Sequence, residues 1–132
     1  MIDTISGYFL CLLAHLVLIS VLFFNQEPFL LASYPLCVEE VEEDSRVEFI
    51  VLLSLLAFFN VSELLLLLIR MPSPSISLFS SFSHALSCLF LLKFIVDTHP
   101  VSNFWVLFAF TSVPPLLVNV IRFLINSRLD KT

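Results

Sequence analysis

The residues of this chain that could carry chemistry are polar groups set inside long apolar runs. Asn60 and Glu63 lie three positions apart, and therefore share one face of a helix. Together with His15 and His84, the carboxyl group could pass a proton or an ion, because ionisable groups inside a membrane often mark such a path. They could instead form a hydrogen-bonded core, with Glu63 neutral or paired to Arg122 and the histidines bonded to Ser or Asn. We favour the core, because one acid and two histidines provide few groups for a proton path, and no span is interrupted by Gly.

The depths of these groups support a shared location. Counting about 1.5 Å per helical residue from the predicted cytosolic ends of the apolar runs places four of them roughly 9 to 14 Å deep. These are His15, Glu63, His84 and Asn119, and Arg122 lies somewhat shallower. We therefore predict one polar layer inside the protein.

Composition determines the class of protein that must position this layer. Hydrophobic residues make up 59% of the chain, charged residues only 13%, and the mean hydropathy is +1.05, which is typical of an integral membrane protein. The formal charge of −5 arises mostly from acids between Glu27 and Glu48, so it belongs to one loop and does not indicate nucleic acid as a partner. With 132 residues the chain has room for four spans in a single domain, residues 1–132.

Four apolar runs are long enough to cross a hydrocarbon layer of roughly 30 Å as helices. The predicted spans are Gly7 to Phe24, Phe49 to Ile69, Ile76 to Val96 and Asn103 to Ile125. An acidic outer loop, residues 25–46, joins the first two spans. Its apolar side chains Phe29, Leu30, Leu31 and Tyr34 are suited to the membrane interface. The predicted fold is therefore an all-α integral membrane protein, a bundle of four transmembrane helices.

Small and polar residues recur on one side of each span and predict where the helices pack against one another. The third span has the clearest pattern, while Gly7, Cys11, Ala14 and His15 mark the first span and Ala109 belongs to the stripe in the fourth. Pro114 and Pro115 remove two backbone donors in mid-span and predict a kink. The predicted helix-packing seam consists of His15, Asn60, Glu63, Ser77, Ser80, Ser81, His84, Ser87, Ser112, Asn119 and Arg122.

Catalytic and metal chemistry find little support in the sequence. The acidic run from Glu39 to Asp44 lacks the Gly and the alternating oxygen ligands of an EF-hand, so a solvated face is the better interpretation. Cys11, Cys37 and Cys88 form no CxxC pair for redox or zinc chemistry. We predict no catalytic, cofactor-binding or metal-binding residue, and no small-molecule substrate.

Lys and Arg predict the orientation of the spans. With the N-terminus in the cytosol, Arg70, Arg122, Arg128 and Lys131 are cytosolic, against Arg46 and Lys93 outside. This arrangement predicts that both termini are cytosolic and that the acidic loop lies outside.

Several pieces of the sequence, in this order, resemble one family of membrane proteins. They are Leu12-Leu13-Ala14-His15-Leu16-Val17, Glu63 late in the second span, His84 in a Ser-rich third span, and Trp105-x-x-Phe108-x-Phe110-x-Ser112-x-x-Pro115. Together they resemble the transmembrane protein 107 family of small tetraspan proteins. The chain departs from that pattern in the leucines from Leu64 to Leu68, in a more acidic outer loop and in a less basic tail after Arg122.

The resemblance implies a function that the residues alone do not. It implies a non-enzymatic scaffold of the ciliary transition zone that helps assemble the Meckel-syndrome module and a diffusion barrier controlling ciliary membrane composition, and so supports cilium assembly. The implied partners are other membrane proteins of that module, including tectonic-type proteins, and membrane lipid.

Two other classes of membrane protein remain open from the residues. A small dimeric proton-coupled transporter is also built from four short spans and a membrane carboxylate, and it would make Glu63 indispensable for transport. A tight-junction-type tetraspan would need an extracellular disulfide, for which Cys37 stands alone in its loop.

Overall fold

The chain folds as an all-α bundle of four membrane-length helices, as predicted. A computed structural model describes residues 2–32, 43–98 and 101–132. The elements in chain order are α1 (Ile2–Phe24), α2 (Glu27–Ala32), α3 (Glu43–Ile69), α4 (Pro74–Asp97), α5 (Val101–Leu107), a π-helical turn (Phe108–Ser112) and α6 (Val113–Leu129). The segments long and apolar enough to span a membrane are Asp3–Phe24, Arg46–Ile69, Pro74–Asp97 and Ser102–Leu129.

The helix of the second span, α3, begins earlier than the apolar run alone predicts. Asp44 lies in the first turn of α3, where an acidic side chain complements the positive end of the helix dipole. Arg46 donates to the Glu27 carboxylate of α2 at 2.7 Å, which forms an ion pair between the two helices. The rest of the predicted acidic run, together with Cys37, His99 and Pro100, lies outside the described residues.

The fourth span contains the irregularity that its prolines lead one to expect, in an unexpected form. A π-helical turn over Phe108–Ser112 precedes α6, and the backbone N–H of Val113 donates to the carbonyl oxygen of Phe108. Pro114 and Pro115 then have no N–H to give. A wider turn therefore accommodates the two prolines within a helix that continues across the membrane.

The end of the bundle remote from the termini has an apolar core. Phe29, on α2, lies between Phe49 and Phe104, with ring centroids 6.1 and 5.6 Å away respectively. Phe29 and Leu30 are buried in this core, whereas Leu31 is exposed. Tyr34, which was predicted together with them for the membrane interface, lies outside the described residues. The short helix α2 thus closes this end of the bundle.

Helix packing differs from the predicted stripes at two alanines. α1 packs most extensively against α4 and also contacts α3. Its buried side includes Tyr8, Leu12 and His15, whereas Ala14 is exposed; Ala109 in the fourth span is exposed as well. In α1, large side chains rather than the alanine therefore face inward, whereas the buried side of α4 is mostly serine.

Candidate functional site

A hydrogen-bonded chain of side chains crosses the interior of the bundle and links all four spans. α1 supplies Tyr8 and His15, α3 supplies Glu63, and α4 supplies Ser80, His84 and Ser87. The fourth span supplies Thr111 from its π-helical turn and Asn119 from α6. We call this set of side chains the hydrogen-bonded chain: Tyr8, His15, Glu63, Ser80, His84, Ser87, Thr111 and Asn119.

Glu63 is the centre of the hydrogen-bonded chain. Its Oε2 accepts a hydrogen bond from the Tyr8 hydroxyl at 2.8 Å and lies 2.8 Å from Nε2 of His84. The side chains of Glu63 and His84 are each only 1% exposed. One carboxylate oxygen therefore holds α1, α3 and α4 together in the interior.

Two histidines extend the chain away from Glu63. Nδ1 of His84 lies 3.0 Å from Nδ1 of His15, and the two rings are tilted with centroids 5.2 Å apart. Nε2 of His15 lies 3.1 Å from the Ser87 hydroxyl. All four imidazole nitrogens are thus engaged, which links α1 to α4 twice.

One end of the hydrogen-bonded chain lies at the π-helical turn of the fourth span. The Thr111 hydroxyl lies 3.2 Å from the Ser87 oxygen and also donates to the carbonyl of Leu107 at 2.6 Å. At the other end, Nδ2 of Asn119 lies within hydrogen-bonding distance of the Tyr8 hydroxyl (3.1 Å), the Ser80 hydroxyl (3.2 Å) and the Pro115 carbonyl (2.8 Å). The fourth span is therefore attached at two levels, one on each side of its prolines.

The geometry allows two directions of hydrogen bonding along the histidines. If Glu63 is ionised, Nε2 of His84 donates to it, Nδ1 of His15 donates to Nδ1 of His84, and Ser87 donates to His15. If Glu63 is protonated, every one of these bonds can reverse while each histidine stays neutral. Each imidazole nitrogen thus has a hydrogen-bond partner in either state, as a stable core or a short proton path requires.

The predicted seam residues occupy several environments. Those buried inside the bundle are His15, Asn60, Glu63, Ser77, Ser80, His84, Ser87, Ser112 and Asn119, while Ser81 is half-buried. Both amide atoms of Asn60, Oε1 of Glu63 and the hydroxyls of Ser77, Ser81 and Ser112 make no hydrogen bond within the described part of the chain.

Arg122 does not take the role that sequence suggested for it. It is partly exposed, and its guanidinium donates to the carbonyl of Met71 at 3.3 Å, at the end of the bundle that carries the termini. Pairing of Glu63 with Arg122 was therefore the wrong alternative, because Tyr8 and His84 occupy the carboxylate oxygen instead. The longer reach of an arginine lets its charge leave the interior, where a carboxylate with two partners does not need it.

Sequence reasoning missed two members of the chain, Tyr8 and Thr111. Tyr8 precedes His15 by seven residues, two helical turns on the same side of α1, and this spacing could have drawn attention to it. Thr111 precedes Pro115 and Asn119 of the predicted stripe by four and eight residues, and this spacing could likewise have drawn attention to it.

Metal binding depends on how the His, Cys, Asp and Glu side chains are grouped. Among residues 2–32, 43–98 and 101–132, no group of three or more His, Cys, Asp or Glu side chains is placed to hold a metal ion. Cys11 and Cys88 are both free thiols. The arrangement of the interior is one of hydrogen bonds between helices.

Comparison with known proteins identifies the family. A family model named TMEM107 and described as a transmembrane protein matches residues 4–123. The chain belongs to the TMEM107 family. No curated protein and no solved structure matches it. The whole hydrogen-bonded chain of this TMEM107-family protein, from Tyr8 to Asn119, lies inside the matched range.

Proposed function

We propose that this TMEM107-family protein is a non-enzymatic scaffold of the ciliary transition zone. In this role it helps assemble the Meckel-syndrome module and the diffusion barrier that controls ciliary membrane composition, and so supports cilium assembly. Its partners are other membrane proteins of the module, including tectonic-type proteins, within surrounding lipid. Membership of the TMEM107 family, over residues 4–123, is the observation that carries this proposal.

The distribution of polar and apolar side chains supports a role exercised inside the bilayer. The eight side chains of the hydrogen-bonded chain bond to one another in the interior, while large apolar side chains such as Leu68, Phe82 and Phe110 are exposed on the outer surface of the spans. A protein built in this way meets its neighbours mainly through lateral contacts between helices in lipid. Lateral contact is what an organiser of membrane proteins requires.

Localisation in ciliated cells tests the proposal. A copy tagged after Thr132 should form a confined band at the ciliary base, next to a marker of that region. A single-span membrane protein carrying the same tag provides the control for overexpression. An even spread of the tagged chain over the plasma membrane or internal membranes would contradict the scaffold.

A proton-coupled transporter is the second candidate, because of one specific observation. Polar contacts of 2.8 to 3.2 Å run without interruption from Tyr8 through Glu63, His84 and His15 to Ser87 and Thr111. Such a series can pass a proton by reversing its hydrogen bonds. A transporter would make the carboxyl group of Glu63 essential for flux.

Proton flux into liposomes containing the purified protein distinguishes the two candidates. Glu63→Gln keeps the oxygen that accepts from Tyr8 but cannot exchange a proton. We expect no flux above that of empty liposomes from either the native chain or Glu63→Gln. A clear flux in the native sample that disappears in the variant would favour the transporter.

A further inference from the structure

Two arginines line one cleft at the end of the bundle that carries the termini. Arg70 follows the last turn of α3, and Arg122 projects from α6 beside it; Asn126 lies one turn further along α6. Leu66 and Phe123 line the same cleft. We call it the arginine cleft.

The charges of the arginine cleft are only lightly used. Arg122 forms a long bond of 3.3 Å with the carbonyl of Met71, although a guanidinium carries five N–H donors. Arg70 pairs with Asp130 at 2.9 Å, but both side chains are exposed, and an exposed ion pair contributes little and exchanges readily. Both guanidinium groups are therefore able to bind a strong external acceptor.

The position of the cleft identifies the kind of acceptor. Arg70 comes directly after the apolar end of α3, and exposed apolar side chains such as Leu68 and Met71 lie at the same level. This is the depth at which a span leaves the hydrocarbon and meets lipid headgroups. A guanidinium matches the geometry of a phosphate and binds it through charge-assisted hydrogen bonds.

We propose that the arginine cleft binds the phosphate of an anionic lipid from the leaflet on the side of the termini. The phosphate oxygens accept from Arg70 and Arg122, with Asn126 as a further donor. The acyl region lies along Leu66 and Phe123, which a soluble phosphate would leave uncovered. Asn119 of the hydrogen-bonded chain also lines this cleft, but the phosphate is held by Arg70 and Arg122, and the proposal does not depend on the scaffold proposal.

Native mass spectrometry of the full chain in mild detergent tests the site with equal amounts of phosphatidic acid and phosphatidylcholine. Phosphatidic acid should be retained preferentially, and Arg122→Gln or Arg70→Gln should lower its apparent affinity about fivefold. Arg128→Gln is the matched control, because Arg128 is exposed near the end of α6 and does not line the cleft. Arg128→Gln should keep the affinity for phosphatidic acid within about twofold of native, because it removes the same charge from outside the cleft.

A gain of affinity keeps the test independent of misfolding. Asp130→Asn removes the partner that competes for Arg70, so the affinity for phosphatidic acid should rise about two- to fivefold. Competition with excess inorganic phosphate separates the two sources of a phosphate group. It should displace little of the lipid, because it cannot occupy the apolar part of the cleft.

Several results would overturn the proposal. Equal retention of the two lipids would show that charge does not decide binding. Equal losses in Arg122→Gln and Arg128→Gln would show a diffuse surface attraction in place of a site. Ready displacement by inorganic phosphate would assign the cleft to a soluble anion. An unchanged affinity for phosphatidic acid in Asp130→Asn would show that Arg70 does not bind the lipid phosphate.

Discussion

Replacing Glu63 by Leu is the perturbation that tests the hydrogen-bonded chain most severely. Oε2 of Glu63 is the shared partner of the Tyr8 hydroxyl and of Nε2 of His84, and each of these groups is buried. Leu has a similar size but no polar atom, so Glu63→Leu leaves both groups without their partner. The contacts between α1, α3 and α4 should weaken together.

The magnitude follows from the two lost contacts. Hydrogen bonds between helices in membrane proteins contribute about 0.6 kcal/mol on average and at most about 1.7. Glu63→Leu should therefore lower the free energy of unfolding by about 1 to 3 kcal/mol. Glu63→Gln should lower it by less than about 1 kcal/mol, because its amide oxygen can accept from Tyr8 and His84 with only the charge assistance lost.

Unfolding in mixed micelles titrated with dodecyl sulfate, followed by helical circular dichroism, measures these differences. Ser62→Leu is the matched control: it makes a similar polar-to-apolar change one residue away, where the hydroxyl bonds only to the Phe58 carbonyl of its own helix. It should change the free energy by no more than about 0.5 kcal/mol. Equal losses in Glu63→Leu and Glu63→Gln, or a Glu63→Leu variant as stable as the native chain, would refute the reasoning.

The remaining predictions concern packing, the π-helical turn and topology. Ser80→Leu should lower the free energy of unfolding by about 1 to 3 kcal/mol through overpacking, whereas Phe82→Leu, at a side chain 69% exposed, should be mild; equal effects would mean that the inward side of α4 is misassigned. Thr111→Val should cost about 1 kcal/mol in the same assay, since it removes the bonds to Ser87 and to the Leu107 carbonyl, and no loss would show that this contact is idle. Tags at the two ends of the chain should both be digested by protease from the cytosolic side of sealed vesicles, and digestion of only one would mean an odd number of spans.

The sequence was sufficient to predict the class of fold because the bilayer constrains it strongly. A long apolar run without internal partners for its backbone can only cross lipid as a helix, so four such runs imply four spans. The presence of Glu63, His15 and His84 inside those runs likewise predicts burial in the bundle, because lipid offers these groups no partner. The grouping of these polar residues by depth therefore anticipated their proximity.

What the sequence could not supply is the pairing of individual atoms. Arg122 and Glu63 stand at similar predicted depths, yet the arginine points to the Met71 carbonyl and the carboxylate bonds to Tyr8 and His84. Depth leaves the rotation of each helix undetermined, and rotation decides the partners. The π-helical turn adds a local change of rotation, which only the folded backbone reveals.

Retention of a tectonic-type membrane protein at the ciliary base tests the scaffold most directly. The measurement is the fraction of that protein held at the base in ciliated cells that lack this chain, before and after native, Glu63→Gln or Glu63→Leu copies are returned. We predict that the native and Glu63→Gln copies restore retention and that Glu63→Leu does not, in line with its lower stability. Retention that is already complete without the chain, or that fails with a stable Glu63→Gln copy, would contradict a scaffold built on the hydrogen-bonded interior.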